Sequence, residues 1–259
     1  MTRKMSSFKA MLKNRLHREG IYSTSEYWDS KATEHVGDAI SMWPNNHLNI
    51  HYHAETLGVI EKYLKDVTGK RTLDVGCGTG RISRFFAHRG AIVQGIDFSA
   101  KALEVARRTD VGDNPSYRLQ SLFDLDEKGV YDIAVSWGSL TFACRSSEQL
   151  LAAMTRMAQA LKPDGRALFL EPVHRGFLHR VLNMNVREFC RVMEQAGFKV
   201  ESVANMHFWP MRLLLAYISW PRFITSAGYH VGQGVMKIMN SRAMGDYKAI
   251  YATVRRGPD

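Results

Sequence analysis

Short, mostly apolar segments alternate along this chain with longer stretches whose apolar residues recur every three or four positions. The short segments predict strands at Thr72 to Val75, Ala91 to Ile96, Tyr117 to Gln120, Val130 to Ser136, Arg166 to Leu170, Lys199 to Ala204 and Tyr247 to Val254. Between them, Arg81 to Arg89, Ala100 to Arg108, Ser146 to Leu161 and Asn185 to Ala196 read as helices. Ser146 or Ser147 stands at a capping position, Gly197 follows the fourth helix, and Gly112–Pro115 and Lys162–Gly165 read as turns. Continuous apolar strands alternating with helices imply a parallel sheet covered on both faces. Ahead of them, His47 to Lys65 predicts a helix with Ile50, Leu57, Ile60 and Leu64 along one side, and Phe8, Leu12 and Leu16 allow a weak amphipathic helix in the basic first residues.

The chain is organised around Arg71 to Gly80, RTLDVGCGTG, where a strand runs into a turn with glycine at 76, 78 and 80. Glycine permits a sharp turn and a close ligand approach, and the next helix points its free N–H groups there. Asp74 lies two residues before the first glycine, and Asp97 closes the second strand 17 residues past Gly80. An acid at about that interval meets a ribose hydroxyl in βαβ nucleotide sites.

The run LDVGCGTGRISRFFAHRGAIVQGIDFSAKALEVARR resembles the first βαβ unit of class I S-adenosylmethionine-dependent methyltransferases of the small-molecule type. KPDG before RALFL, and EQAGF before KVESV, resemble the second half of that domain, so the likeness covers about residues 47–204 and 247–254. It implies an α/β fold with a doubly wound, seven-stranded, mostly parallel sheet whose last strand is antiparallel. Residues 1–46 are expected to form a basic arm and N-terminal helical cap, and 47–259 the cofactor-binding domain, with a helical insert at 205–246 before the last strand. The resemblance places Gly76, Gly78 and Gly80 under the methionine part of S-adenosylmethionine and counts Asp74 and Cys77 among the cofactor-binding residues. It gives Asp97 the ribose hydroxyls, sets Phe98 against adenine, and adds Ser121, Leu122 and Ser136 to the cofactor site. Many family members have an acid for the adenine amino group where this chain has Ser121. The cap is expected to fold over the site through Tyr22, Tyr27 and Trp28, each of which equally suits packing against the core.

Methyl transfer from a sulfonium asks the protein to align the acceptor, exclude water and, for a hydroxyl acceptor, remove a proton. His174, after the fifth strand, is the expected base, with His51, His53 and His207 as competitors. Trp137, His207 and Trp220 complete the expected acceptor site. No Asn/Asp-Pro-Pro-Tyr follows the fourth strand, no Pro-Cys pair supplies a nucleophile, and the acid-rich, His-bearing pattern of metal-assisted catechol methylation is missing, so no metal is expected. The apolar stretch Met211 to Trp220, between two prolines, is too short to span a bilayer. It suits an apolar acceptor pocket or, equally, a buried helical pair or dimer interface.

Composition changes little. The 259 residues, 45% hydrophobic, suffice for one α/β domain. Three cysteines without C-x-x-C spacing make neither a metal set nor a disulfide framework, and no signal peptide is evident, so a cytoplasmic location is expected. The net charge is +10, half of it in residues 1–20. That arm suits a solvated tail or peripheral membrane contact; nucleic acid is not the expected partner. The expectation is therefore a monomeric or homodimeric enzyme that methylates oxygen or nitrogen of a small, partly apolar acceptor, uses S-adenosylmethionine without a metal, and releases S-adenosylhomocysteine. Methylation of RNA or protein is the alternative motivated by the arm, and a non-catalytic cofactor-binding protein is the other.

Overall fold

The computed structural model describes residues 17–34, 43–110, 112–239 and 243–255. The expected arm helix through Phe8, Leu12 and Leu16 lies outside the described residues. Its seven strands are β1 (Arg71–Val75), β2 (Ile92–Asp97), β3 (Ser116–Leu119), β4 (Tyr131–Trp137), β5 (Leu161–Glu171), β6 (Phe198–Phe208) and β7 (Gly245–Val254). They form one sheet in the order β3-β2-β1-β4-β5-β7-β6. β7 runs antiparallel to both β5 and β6, while the other pairs are parallel. The chain moves outward from β1 through β2 to β3, then returns to start again at β4 on the other side. Ligands in such sheets bind in the crevice at that reversal, beyond the carboxyl ends of the strands. Val75 ends β1 level with Ile96 of β2 and Ser136 of β4, so these three strands open onto one rim.

The helices are α1 (Arg18–Tyr22), α2 (Ser25–Glu34), α3 (Asn46–Tyr63), α4 (Arg81–Ala87), α5 (Ala100–Thr109), α6 (Leu140–Ala143), α7 (Ser147–Ala160), α8 (Val186–Gln195), α9 (Trp209–Leu215) and α10 (Arg222–Met239). Local signals explain their starts. Ser99 and Ser146 each accept a backbone N–H of the first turn, and Asn185 with Glu188 closes a reciprocal capping box. Apolar side chains pack on both faces of the sheet: Leu73, Phe169 and Phe198 with Leu150 and Phe189 on one, and Ile133 and Leu168 with Ile60 and Phe86 on the other.

Three expectations change. The buried side of α3 is Leu48, Asn49, Tyr52, Thr56 and Ile60, and Ile50 is exposed. Polar Asn49 and Thr56 are inside because each donates a hydrogen bond to a nearby carbonyl, Trp43 and Tyr52 respectively, a possibility that apolar periodicity does not register. β6 continues to Phe208 because it pairs with β7 as far as Phe208–Gly245, so the insert proper begins at Trp209. Its first helix takes Pro210 into its opening turn, where no N–H is missed, and ends at Leu215, well short of Pro221. A second, longer helix, α10, follows.

Candidate functional site

The turn after β1 is tied down from two sides. The Gly76 and Cys77 N–H groups donate to the Ile96 carbonyl at 2.8 and 3.0 Å, holding the turn against the end of β2. From the β4 side, the Ser139 hydroxyl donates to the Val75 carbonyl at 2.8 Å. Ser139 comes so close that a Cβ on Gly76, whose φ is +68°, would lie 2.1 Å from Oγ. Gly78, by contrast, faces open space: a Cβ there would meet no atom within 4 Å. The third glycine has a packing role. Gly80 begins α4 beneath Tyr117 and does not line the cavity.

That cavity has a volume of about 470 Å³ and lies over the carboxyl ends of β1, β2 and β4. Asp74, Gly76, Cys77, Gly78, Asp97, Phe98, Ser121 and Leu122 line one part of it. Asp97 accepts the Gly78 N–H on Oδ2 and the Ser99 N–H on Oδ1, both at 2.8 Å. Burial raises its pKa, and those backbone donors oppose the rise. Asp74 accepts the Ser83 hydroxyl at 2.6 Å, yet burial pushes its pKa up to about 7. Ser121 lines the wall while its oxygen caps the short 3₁₀ turn Leu122–Asp124. The cap segment is anchored nearby, where Asp29 of α2 accepts the Ser99 hydroxyl and the Lys101 N–H at the start of α5.

Aromatic and imidazole rings line the other part. Trp28 stands edge-on to Phe142 and donates its indole N–H to the Tyr22 carbonyl at 2.8 Å. Trp137 lies under the Arg81 guanidinium, 4.8 Å from its ring centre, with His53 stacked alongside. His207 stacks on Tyr52 with ring centres 4.1 Å apart, and its backbone N–H donates to Glu55 at 3.0 Å. Its φ of +55° is a left-handed value that costs a non-glycine residue energy and tends to persist at functional sites. Burial lowers the pKa of His207.

The structure thus brings most expected residues together and leaves five out. Tyr27 packs edge-on behind Tyr22 and Trp28. Ser136 turns its hydroxyl to Glu171 at 2.6 Å. Trp220 packs with Leu48, Tyr52 and Leu215 and donates its indole N–H to the Leu214 carbonyl. Gly80 is the fourth. The fifth is His174, the expected base: it does not line the cavity, and its Nε2 is 2.7 Å from the Asp246 carbonyl oxygen and 3.3 Å from Oδ1 of the same residue. It belongs to a buried ionic group in which Asp246 Oδ2 meets Arg212 at 2.9 Å and Arg180 at 3.1 Å. Burial alone would raise the Asp246 pKa, but the two arginines and His174 hold it well below the carboxylate range. Lys248, in the same region, is pushed down to about 8 by burial.

Sequence reasoning missed Glu171. Fully buried at the end of β5, it accepts from the Ser136 hydroxyl, the Ser139, Leu140 and Thr141 N–H groups, and the Thr141 hydroxyl, at 2.6 to 3.2 Å. It therefore fixes the loop that carries Gly138 and Ser139 under the cavity. The available signal was an acid ending the apolar run ALFLE. Tyr52, Tyr247 and Asp246 also line the wall unforeseen. Among the described residues, no group of three or more His, Cys, Asp or Glu is placed to hold a metal ion.

Residues 72–165 match the family model described as a methyltransferase domain. The chain is 33% identical over 123 residues to the ubiquinone biosynthesis O-methyltransferase of Bordetella parapertussis, an alignment covering 46% of this chain and 49% of that protein. The chain thus spans about half the length of the curated relatives it matches. Among solved structures, an S-adenosylmethionine-dependent methyltransferase from Mesorhizobium loti superposes with a TM-score of 0.55 at 20% identity, covering 76% of this chain and 96% of that one. Magnesium protoporphyrin IX methyltransferase from Synechocystis, with S-adenosylmethionine bound, gives 0.58 at 16% identity, covering 94% and 97%. At those identities the structures speak for the fold alone.

Proposed function

From the premise that the chain belongs to the class I S-adenosylmethionine-dependent methyltransferases, we propose that it methylates a hydroxyl oxygen of a small, partly apolar acceptor. What carries the reading is one continuous cavity that joins the Asp74–Asp97 cradle to a wall of Trp28, Trp137, Tyr52 and His207. Oxygen is favoured over nitrogen by the O-methyltransferase name of the curated relatives.

The residues present fit the cofactor. The space over Gly78 is open, and the Asp97 carboxylate, held by backbone N–H groups, has lone pairs left for the ribose hydroxyls. Gly76 and Gly78 would lie under the methionine part, with Phe98, Ser121 and Leu122 around adenine. S-adenosylmethionine, when bound, supplies both the methyl group and its leaving group. The chain's own task is alignment, exclusion of water and removal of the acceptor proton.

For that proton, His207 takes the place expected of His174. Its Nε2 lies 3.3 Å from the Tyr52 carbonyl oxygen, which can only accept, so Nε2 carries the hydrogen. Nδ1 then holds the lone pair. The lowered pKa keeps the ring neutral near pH 7, as a base must be. Labelled S-adenosylmethionine offered with a panel of phenols of graded apolar substitution tests both points. Transfer to oxygen is expected, with a rate that rises with pH through an ionisation below the ordinary histidine value. His207→Gln should lower kcat by roughly 10²–10⁴-fold without weakening S-adenosylhomocysteine binding. Full turnover in that variant would reduce His207 to a structural ring.

A further inference from the structure

We propose that the outer face of α10 docks on an anionic lipid bilayer. Phe223, Ala227, Val231, Gly234 and Ile238 recur at four, four, three and four residues, which places them on one stripe of the helix. Every one of them is exposed: Phe223 is 74% and Ile238 86% accessible. The opposite face is already occupied, because Thr225, Gly232 and Met236 are buried, and Gly232 lies so close to Met211 and Phe208 that a Cβ would collide with both. Among the described residues, the helix therefore has two apolar faces and packs only one. Leu214, near the end of α9, and Ile218, in the turn that follows, are exposed as well and do not line the cavity. Large apolar side chains gathered on a surface mark a docking site.

Charge selects the occupant. The row adjoining the stripe is Arg222, Ser226, His230, Gln233 and Lys237, and the helix contains no acidic residue in all its length. An apolar stripe flanked by basic residues is the arrangement that lies in an anionic membrane interface, rings and aliphatic groups inserted and cations at the headgroups. A second copy of the chain is disfavoured by the same residues. Antiparallel pairing of two stripes sets Arg222 beside a second copy's Lys237, with no carboxylate on either helix to offset them. The chain's net charge of +10 acts in the same direction. The docked helix is also linked to the cavity: Tyr229 and Gln233 hold Glu55 at 3.0 and 2.8 Å, and Glu55 holds the His207 N–H.

The test is flotation of the full chain with vesicles of phosphatidylcholine and phosphatidylglycerol, roughly 2:1, against vesicles of phosphatidylcholine alone. The wild-type protein should float with the anionic vesicles only, less so at high salt. Phe223→Glu/Ile238→Glu should lower partition at least about tenfold while circular dichroism and the urea midpoint stay unchanged. Because the variant keeps residues 1–16, membrane binding through the basic arm alone would leave its partition intact and overturn the proposal. Absence of wild-type flotation, or equal flotation with neutral vesicles, overturns it too. So does a wild-type dimer, seen by light scattering, that the double substitution converts to monomer, since the stripe then belongs to a second copy. None of these readings depends on turnover, so they stand or fall apart from the proposed acceptor chemistry.

Discussion

Asp74 and Asp97 are both buried acids beside the same glycine turn, but they differ in what holds them. Asp97 takes the backbone N–H groups of Gly78, Ser99 and Phe98, whereas Asp74 is held by Ser83 alone, through its hydroxyl and its N–H. Burial dominates at Asp74 and its pKa rises to about 7. An acid whose pKa is raised by folding binds its proton more tightly in the native state, so stability falls as pH rises from the unfolded value, about 4, to about 7, and levels off beyond. Asp74→Asn removes that dependence. Urea titrations from pH 4 to 8 should show the variant gaining on the wild type through this window, by about 2–4 kcal/mol at its upper end. A constant difference across the range would contradict the assignment. The glycine triplet, Asp74 and Asp97 were legible because their spacing is dictated by a backbone that must turn and meet a ligand. His207 and Glu171 were not. A histidine at a strand end reads the same whether it faces a cavity or an ion pair, and neighbouring extended residues point to opposite sides. Likewise, an acid ending an apolar strand reads the same whether solvated or, like Glu171, surrounded by donors from a loop thirty or more residues earlier in the chain.

Asn45 joins three helices. Its Oδ1 accepts the His47 and Leu48 N–H groups as the cap of α3. Its Nδ2 donates to the Leu215 carbonyl, closing α9, and lies 3.1 Å from the Thr225 hydroxyl of α10. A lone cap contributes about 1 kcal/mol. Asn45→Ala also strands buried partners, so a loss of about 2–4 kcal/mol in the unfolding free energy is expected. Asn45→Asp keeps the cap, loses the donors and should fall between; if it equals Ala, the cap contributes nothing. The insert was the least legible element for a related reason. The α10 sequence carries three glycines and apolar residues on two faces, so no single stripe marks it as a helix. It forms because α9, β6 and α3 cover one side. The central βαβ units, whose strands are buried by helices adjacent in sequence, needed no such distant partner to be recognised.

The whole molecule separates its tasks along the sheet. The parallel half, β1 to β4, carries the turn and acids of the cofactor cradle. The antiparallel end, β6 and β7, carries His207, Asp246 and Tyr247 into the same cavity and supports the insert. The family match at residues 72–165 falls on the first of these, which is the part legible in sequence. The second lies largely outside that match, and in the proposed reading it is the part that meets the acceptor. Its rings line the cavity together with Trp28 and Trp137, the concave, largely aromatic wall that the proposed small acceptor calls for. The account rests on the cradle holding S-adenosylmethionine and its product. Titration calorimetry of S-adenosylhomocysteine into the wild-type protein and into Asp97→Ala tests this most directly. One site per chain is expected, weakened by about 2 kcal/mol, or some thirtyfold, in the variant. No heat of binding to the wild type, or equal affinity in a folded Asp97→Ala, would contradict it.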